Sequence, residues 1–183
     1  MVAYLDVIKT FIIFDHLIIN SMKRALFPAT LLFLLILIFS SFLLFAHDDY
    51  EIFNLGNFEL ESGVILPNAK LSYVTHGKLN KRKDNLILVP SAYLGDHHGF
   101  DYLIKPGKAL DPEKYFVVAT DMFQNGLSSS PSNTESPYNG PNFPLINIRD
   151  NVNAGYRLIT EVFKVKKIKA VIGFSMGAQQ AFQ

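Results

Sequence analysis

Cysteine is absent from this sequence of 183 residues. A disulfide scaffold, a thiolate metal site and a cysteine nucleophile are therefore excluded. An excess of charge is missing too: 17 Lys and Arg stand against 16 Asp and Glu. No polyanionic partner follows from such a balance, and no nucleic-acid binding is expected. There is no Asn-x-Ser/Thr acceptor, no internal repeat and no separate linker. What is abundant is apolar: hydrophobic residues make up 49%, too many for a disordered chain.

That apolar content is unevenly spread. Ala25 to Ala46 reads ALFPATLLFLLILIFSSFLLFA, 22 residues without a charge. A helix of that length reaches roughly 33 Å, about the thickness of a hydrocarbon core. Lys23 and Arg24 precede it, and Asp48, Asp49 and Glu51 follow. This asymmetry predicts an N-terminus in the cytoplasm and the remainder outside it. Met22-Lys23-Arg24 also reads as the start of a signal peptide, so translation is expected to begin at Met22. Residues 1–46 are thus an extension plus a cleaved signal or a membrane anchor formed by a hydrophobic helix. The expected location is secreted, periplasmic or membrane-anchored, with membrane contact through 25–46 if the leader stays.

Residues 47–183 alternate between strand and helix patterns. Ile52–Leu60 and Lys70–Thr75 read as an N-terminal hairpin, with Gly63, Pro67 and Asn68 as turn formers between them. Leu86–Val89, Phe116–Ala119 and Ala170–Gly173 are unbroken apolar runs, typical of parallel strands buried on both faces. Before the last run, Asn147 and Asp150 stand at capping-box spacing. Ile148, Val152, Tyr156, Ile159 and Phe163 follow at the period of one helix face. The class is α/β, with a mostly parallel sheet. Residues 124–142 are rich in Ser, Pro, Asn and Gly, and form either a working loop or a disordered one.

One motif carries chemistry. Gly173-Phe174-Ser175-Met176-Gly177 matches G-x-S-x-G, between an apolar strand and a segment able to form a helix. The serine of such a turn is strained, and its flanking glycines leave room for the strand and helix to approach. Ser175 is the candidate nucleophile. The N–H of Met176, at the helix start, is a candidate oxyanion donor. The second donor is expected from the loop after Leu86–Val89, namely the N–H of Tyr93. His97 and His98, with Asp96 and Asp101 nearby, read as polar residues at the rim of a pocket. A metal there lacks a third ligand at convincing spacing, so neither metal nor cofactor is expected.

These stretches resemble the N-terminal part of an α/β-hydrolase-fold protein of the homoserine O-acetyltransferase family. The similarity is carried by FELESGVILPNAKLSYVTHGKLN (58–80), LVPSAYLGD (88–96), KPGKALDPEKYFVVATD (105–121), FPLINIRDNVNAGYRLI (143–159) and AVIGFSMGAQQAF (170–182). It implies Ser175 as nucleophile, Met176 and Tyr93 as backbone donors, and a small acyl ester or acyl-CoA as substrate. The family's usual Gly-Gly-Ser-Met-Gly-Gly differs here at Phe174 and Ala178, and its Gly- and Thr-rich loop is replaced by Met122–Ser128. Donor and acceptor stay open on that account. Ester hydrolysis and a non-catalytic relative on the same fold are the alternatives. In this fold the acid and the histidine follow the serine, whereas all five histidines here precede Ser175. The sequence is therefore expected to be a truncated hydrolase fold, inactive as written.

Overall fold

The computed structural model describes residues 50–183. The expected leader, anchor and start at Met22 lie outside the described residues. Among the described residues, no helix is long and apolar enough to cross a membrane.

The hairpin forms from β1 (Glu51–Glu59) and β2 (Ile65–His76), paired antiparallel. Of the three expected turn formers, Gly63 lies in the turn and Pro67 and Asn68 do not. The turn closes at 60–64, where the Leu60 N–H donates to Val64 O and Gly63 takes a φ of +80°. Pro67 and Asn68 instead lie inside β2, near two register shifts in β1 at Gly56. The proline is tolerated because β4 (Phe116–Thr120) pairs only with Tyr73–His76, leaving the first half of β2 with one strand neighbour.

β3 (Leu86–Pro90) lies parallel to β4 on one side and to β5 (Ala170–Val171) on the other. The sheet order is β1-β2-β4-β3-β5. Two of its pairings are antiparallel and two parallel, so the sheet is mixed rather than mostly parallel. The apolar runs are explained by alternation through the pleat. Leu86, Phe116 and Val118 join one core with Phe58, Phe123 and Leu158. Ile87, Val89, Val117 and Ala119 face a second core, closed by Ile104 and Leu110. Both faces of β3 and β4 are covered.

Helix α1 (Ile148–Arg157) begins as its capping residues dictate, and a π-helical stretch, Leu158–Val162, continues it. Asn147 Oδ1 accepts the Asp150 N–H at 3.1 Å, and Asp150 Oδ2 accepts the Asn147 N–H at 2.8 Å. Asp150 Oδ1 also accepts the Glu61 N–H at 2.7 Å, which ties the hairpin turn to the helix start. The buried stripe differs from the expected one. Ala154, Gly155, Leu158 and Ile159 face the sheet, while Tyr156 is exposed. The helix packs beside β3: a β-carbon on Gly155 would stand 3.8 Å from Leu88 Cδ2, in ordinary contact.

Candidate active site

Two steric facts shape the turn between β5 and α2 (Met176–Ala181). A β-carbon on Gly173 would overlap the Gly177 carbonyl and stand 2.6 Å from the Ala178 nitrogen. One on Gly177 would come within 2.5 Å of Pro90 O, at the end of β3. Only glycine fits either position. Between them Ser175 adopts φ 52°, ψ −122°, a region costing a non-glycine residue about 1–3 kcal/mol. Ser175 O accepts the amides of Ala178 and Gln179, but its side chain makes no capping bond. The hydroxyl is exposed and unspent.

The loop after β3 is rooted firmly. The Ser91 N–H donates to Thr120 O at 2.9 Å, Ser91 Oγ accepts the Met122 N–H at 3.0 Å, and Ser91 O accepts Gln180 Nε2 at 3.2 Å. The last bond joins the loop to α2. Beyond this root the chain turns sharply: the Gly95 N–H donates to Ala92 O, and Leu94 takes a φ of +59°. Among the described residues, the N–H groups of Tyr93 and Met176 donate to no protein acceptor. Both residues line one cleft of about 460 Å³, opposite Phe123, Leu127 and Ile146. A second cleft of about 300 Å³ is lined by Phe100, Tyr102 and Phe174. Ala92, Gly95 and Asp96 border both clefts, so this loop is the wall between them.

The histidines are not rim residues of equal kind. His97 is buried, with Nδ1 2.8 Å from Asp121 Oδ2. His98 is at the surface, with Nδ1 2.8 Å from Asp101 Oδ2, and that hydrogen bond raises its pKa. His76, at the end of β2, is shifted down chiefly by burial, with Asp101 opposing. None of the three lines either cleft. Among the described residues, no group of three or more His, Asp or Glu could hold a metal. Asp121, Asn151 and Gln180 escaped the sequence reading. Asn151 accepts the Phe123 N–H at 2.7 Å and lines the larger cleft. Only the position of Asp121, just past an apolar strand, hinted at its place beside a site.

Sequence and structure comparisons fit this geometry. The model of the α/β-hydrolase fold family matches residues 85–183. An ethyl acetate hydrolase of Pseudomonas veronii is 41% identical over 138 residues, covering 75% of this chain and 40% of that protein. A homoserine O-acetyltransferase of Methanococcoides burtonii is 40% identical over 146 residues, covering 70% and 30% respectively. Among solved structures, an acetylester hydrolase from Corynebacterium glutamicum superposes with a TM-score of 0.70 at 41% identity, covering 72% of this chain and 38% of that one. The chain thus spans about 40% of the length of the curated esterases it matches.

Proposed function

The chain belongs to the α/β-hydrolase fold family, and from that premise we propose that it supplies the nucleophile and oxyanion donors of a serine-dependent acyl-transfer site. The substrate class is a small acyl ester, which the acetyl-ester hydrolases among its relatives favour. Ser175 Oγ attacks the ester carbonyl carbon, and the carbonyl oxygen becomes an oxyanion. The amides of Met176 and Tyr93 accept that charge as hydrogen-bond donors. The C–O bond to the alcohol then breaks, the alcohol leaves with a proton, and an acyl-serine remains. Water releases the acid in the hydrolytic reading. Transfer to a hydroxyl acceptor is the second reading, supported by the 40% identity to a homoserine O-acetyltransferase. No described histidine borders the clefts, so none is assigned as the base.

The observation that carries this proposal is the unspent Ser175 hydroxyl, held at positive φ between two glycines that no other residue could replace. A fluorophosphonate should label the protein in extracts of its source cell, with the adduct on the peptide containing Ser175. The substitution Ser175→Ala should abolish labelling; an adduct elsewhere, or none, would sink the proposal. Following the acyl group from a labelled ester into free acid or into an acceptor then separates hydrolase from transferase.

The membrane or export role of residues 25–46 is also a proposal, resting on their uncharged length and the flanking charges. N-terminal sequencing of the product after cell fractionation tests it. A chain starting at Met1 in the cytosol would refute it.

A further inference from the structure

The acyl-transfer site leaves one buried carboxylate without a task. Asp121 follows the last residue of β4 and is 1% exposed. Its Oδ1 accepts the His97 N–H at 2.8 Å. Its Oδ2 accepts Ser72 Oγ at 2.8 Å and lies 2.8 Å from His97 Nδ1. Its own N–H donates to Ser72 O, and its carbonyl accepts Ser128 Oγ, both at 2.9 Å. Ser128 Oγ in turn accepts the Ser72 N–H at 2.9 Å. These bonds reach in two directions. His97 directly follows the wall segment Ala92–Asp96, which carries Tyr93. Ser128 directly follows Leu127, and with Gln124 and Asn125 this forms another wall of the same cleft.

We infer that Asp121 is a positioning residue that holds both walls of the larger cleft in register, and with them the Tyr93 amide. Resting on the acyl-transfer reading, this gives the carboxylate a role in catalysis without contact to substrate, since neither Asp121 nor His97 lines the cleft. Three donors converge on its two oxygens, which an ionised carboxylate accepts and a neutral amide does not. His97 Nε2 is buried without a partner. A proton on Nδ1 alone leaves only a lone pair stranded there, less costly than a buried unpaired N–H. The neutral Nδ1–H tautomer is assigned on that ground.

The test uses the protein as its source cell makes it, with three substitutions, Asp121→Leu, Asp121→Asn and Ser72→Ala. It reads the rate of Ser175 labelling by a fluorophosphonate together with amide hydrogen exchange. Asp121→Leu should slow labelling about tenfold or more, and raise exchange at His97 and at Ser129 together. Asp121→Asn should recover only part of the rate, because the amide oxygen still accepts the His97 N–H but the amide cannot take the other two donors. His97 would then carry its proton on Nε2, visible in imidazole ¹⁵N shifts. Ser72→Ala, the gentlest change, should loosen the Ser128 side first. For Asp121→Leu, labelling that stays at the unsubstituted rate despite raised exchange would overturn the inference, as would exchange rising in one wall only. Failure of the acyl-transfer reading looks different: the unsubstituted chain would not label at Ser175. Coupling of the two walls would still be decided by exchange.

Discussion

Two groups of serines in this molecule have opposite fates. Ser128, Ser129 and Ser130 sit in a loop whose composition suggested either a working segment or a disordered one, and they are 0%, 4% and 1% exposed. Ser128 Oγ accepts from Ser72 N–H, and Ser129 Oγ from Lys70 N–H, so side chains complete the edge of β2 where no strand pairs. Ser130 Oγ accepts the Gly126 N–H and donates to Ser128 O. Every hydroxyl is spent on structure. Ser175 is the reverse: its backbone is forced by crowding at Gly173 and Gly177, and its hydroxyl is committed to nothing. A serine's role in this protein follows from what already consumes its oxygen, not from its loop.

The largest effect expected of a break in this contrast is at Gly177. A methyl group added there meets Pro90 O, a backbone atom at the end of a buried strand that cannot rotate away. Gly177→Ala should cost about 3 kcal/mol or more. Chemical denaturation would measure it, and a loss below about 1 kcal/mol would mean that the turn is less crowded than its geometry states. Next comes Ser128→Ala, which strands the buried Ser72 N–H and should cost about 2 kcal/mol. An unchanged unfolding midpoint would show that water replaces the hydroxyl. Smaller, and opposite in sign, is Ser175→Gly. It removes the strain of φ 52°, partly offset by the freer unfolded chain, and should stabilise by about 1 kcal/mol while ending all labelling. A destabilised Ser175→Gly would contradict the claim that this residue is held against its preference.

How far the sequence revealed this depends on the range of the forces involved. The crowding of Gly173 against Gly177 and Ala178 was legible because those residues are close in sequence, and so was the capping box of Asn147 and Asp150, whereas the contact of Gly177 with Pro90 was not. The buried face of α1 was read in part: Ile159 is buried as expected, and Tyr156 is not. Burial there falls on Ala154, Gly155, Leu158 and Ile159, and leaves Tyr156 outside. The hairpin turn was read as too long because Pro67 and Asn68 are turn formers in isolation, whereas the absent neighbour along the first half of β2 lets them stay in a strand. His97 and His98 are adjacent and chemically identical in sequence. Only the fold brings Asp121, 24 positions away, to one and not the other.

The smallest predicted effect extends the contrast between spent and unspent groups to the imidazoles of His98 and His76. His98 is committed to Asp101, which raises its pKa, so its contribution to stability is fully present below the unfolded value near 6.5 and is lost as pH rises through the folded value. His76 leaves Nε2 buried and unpaired, and burial lowers its pKa. Its effect has the other sign: the folded state resists the proton, so stability falls as pH drops below the unfolded value. The two terms partly cancel between pH 8.5 and 5.5 in the unsubstituted chain. His98→Asn removes the favourable one and leaves the penalty, so the variant should lose stability on acidification relative to the parent. His98 is more than half exposed, so the difference should be only about 0.3 kcal/mol. Denaturation midpoints at the two pH values measure it, and parallel shifts in both proteins would show that the His98–Asp101 bond carries no free energy in solution.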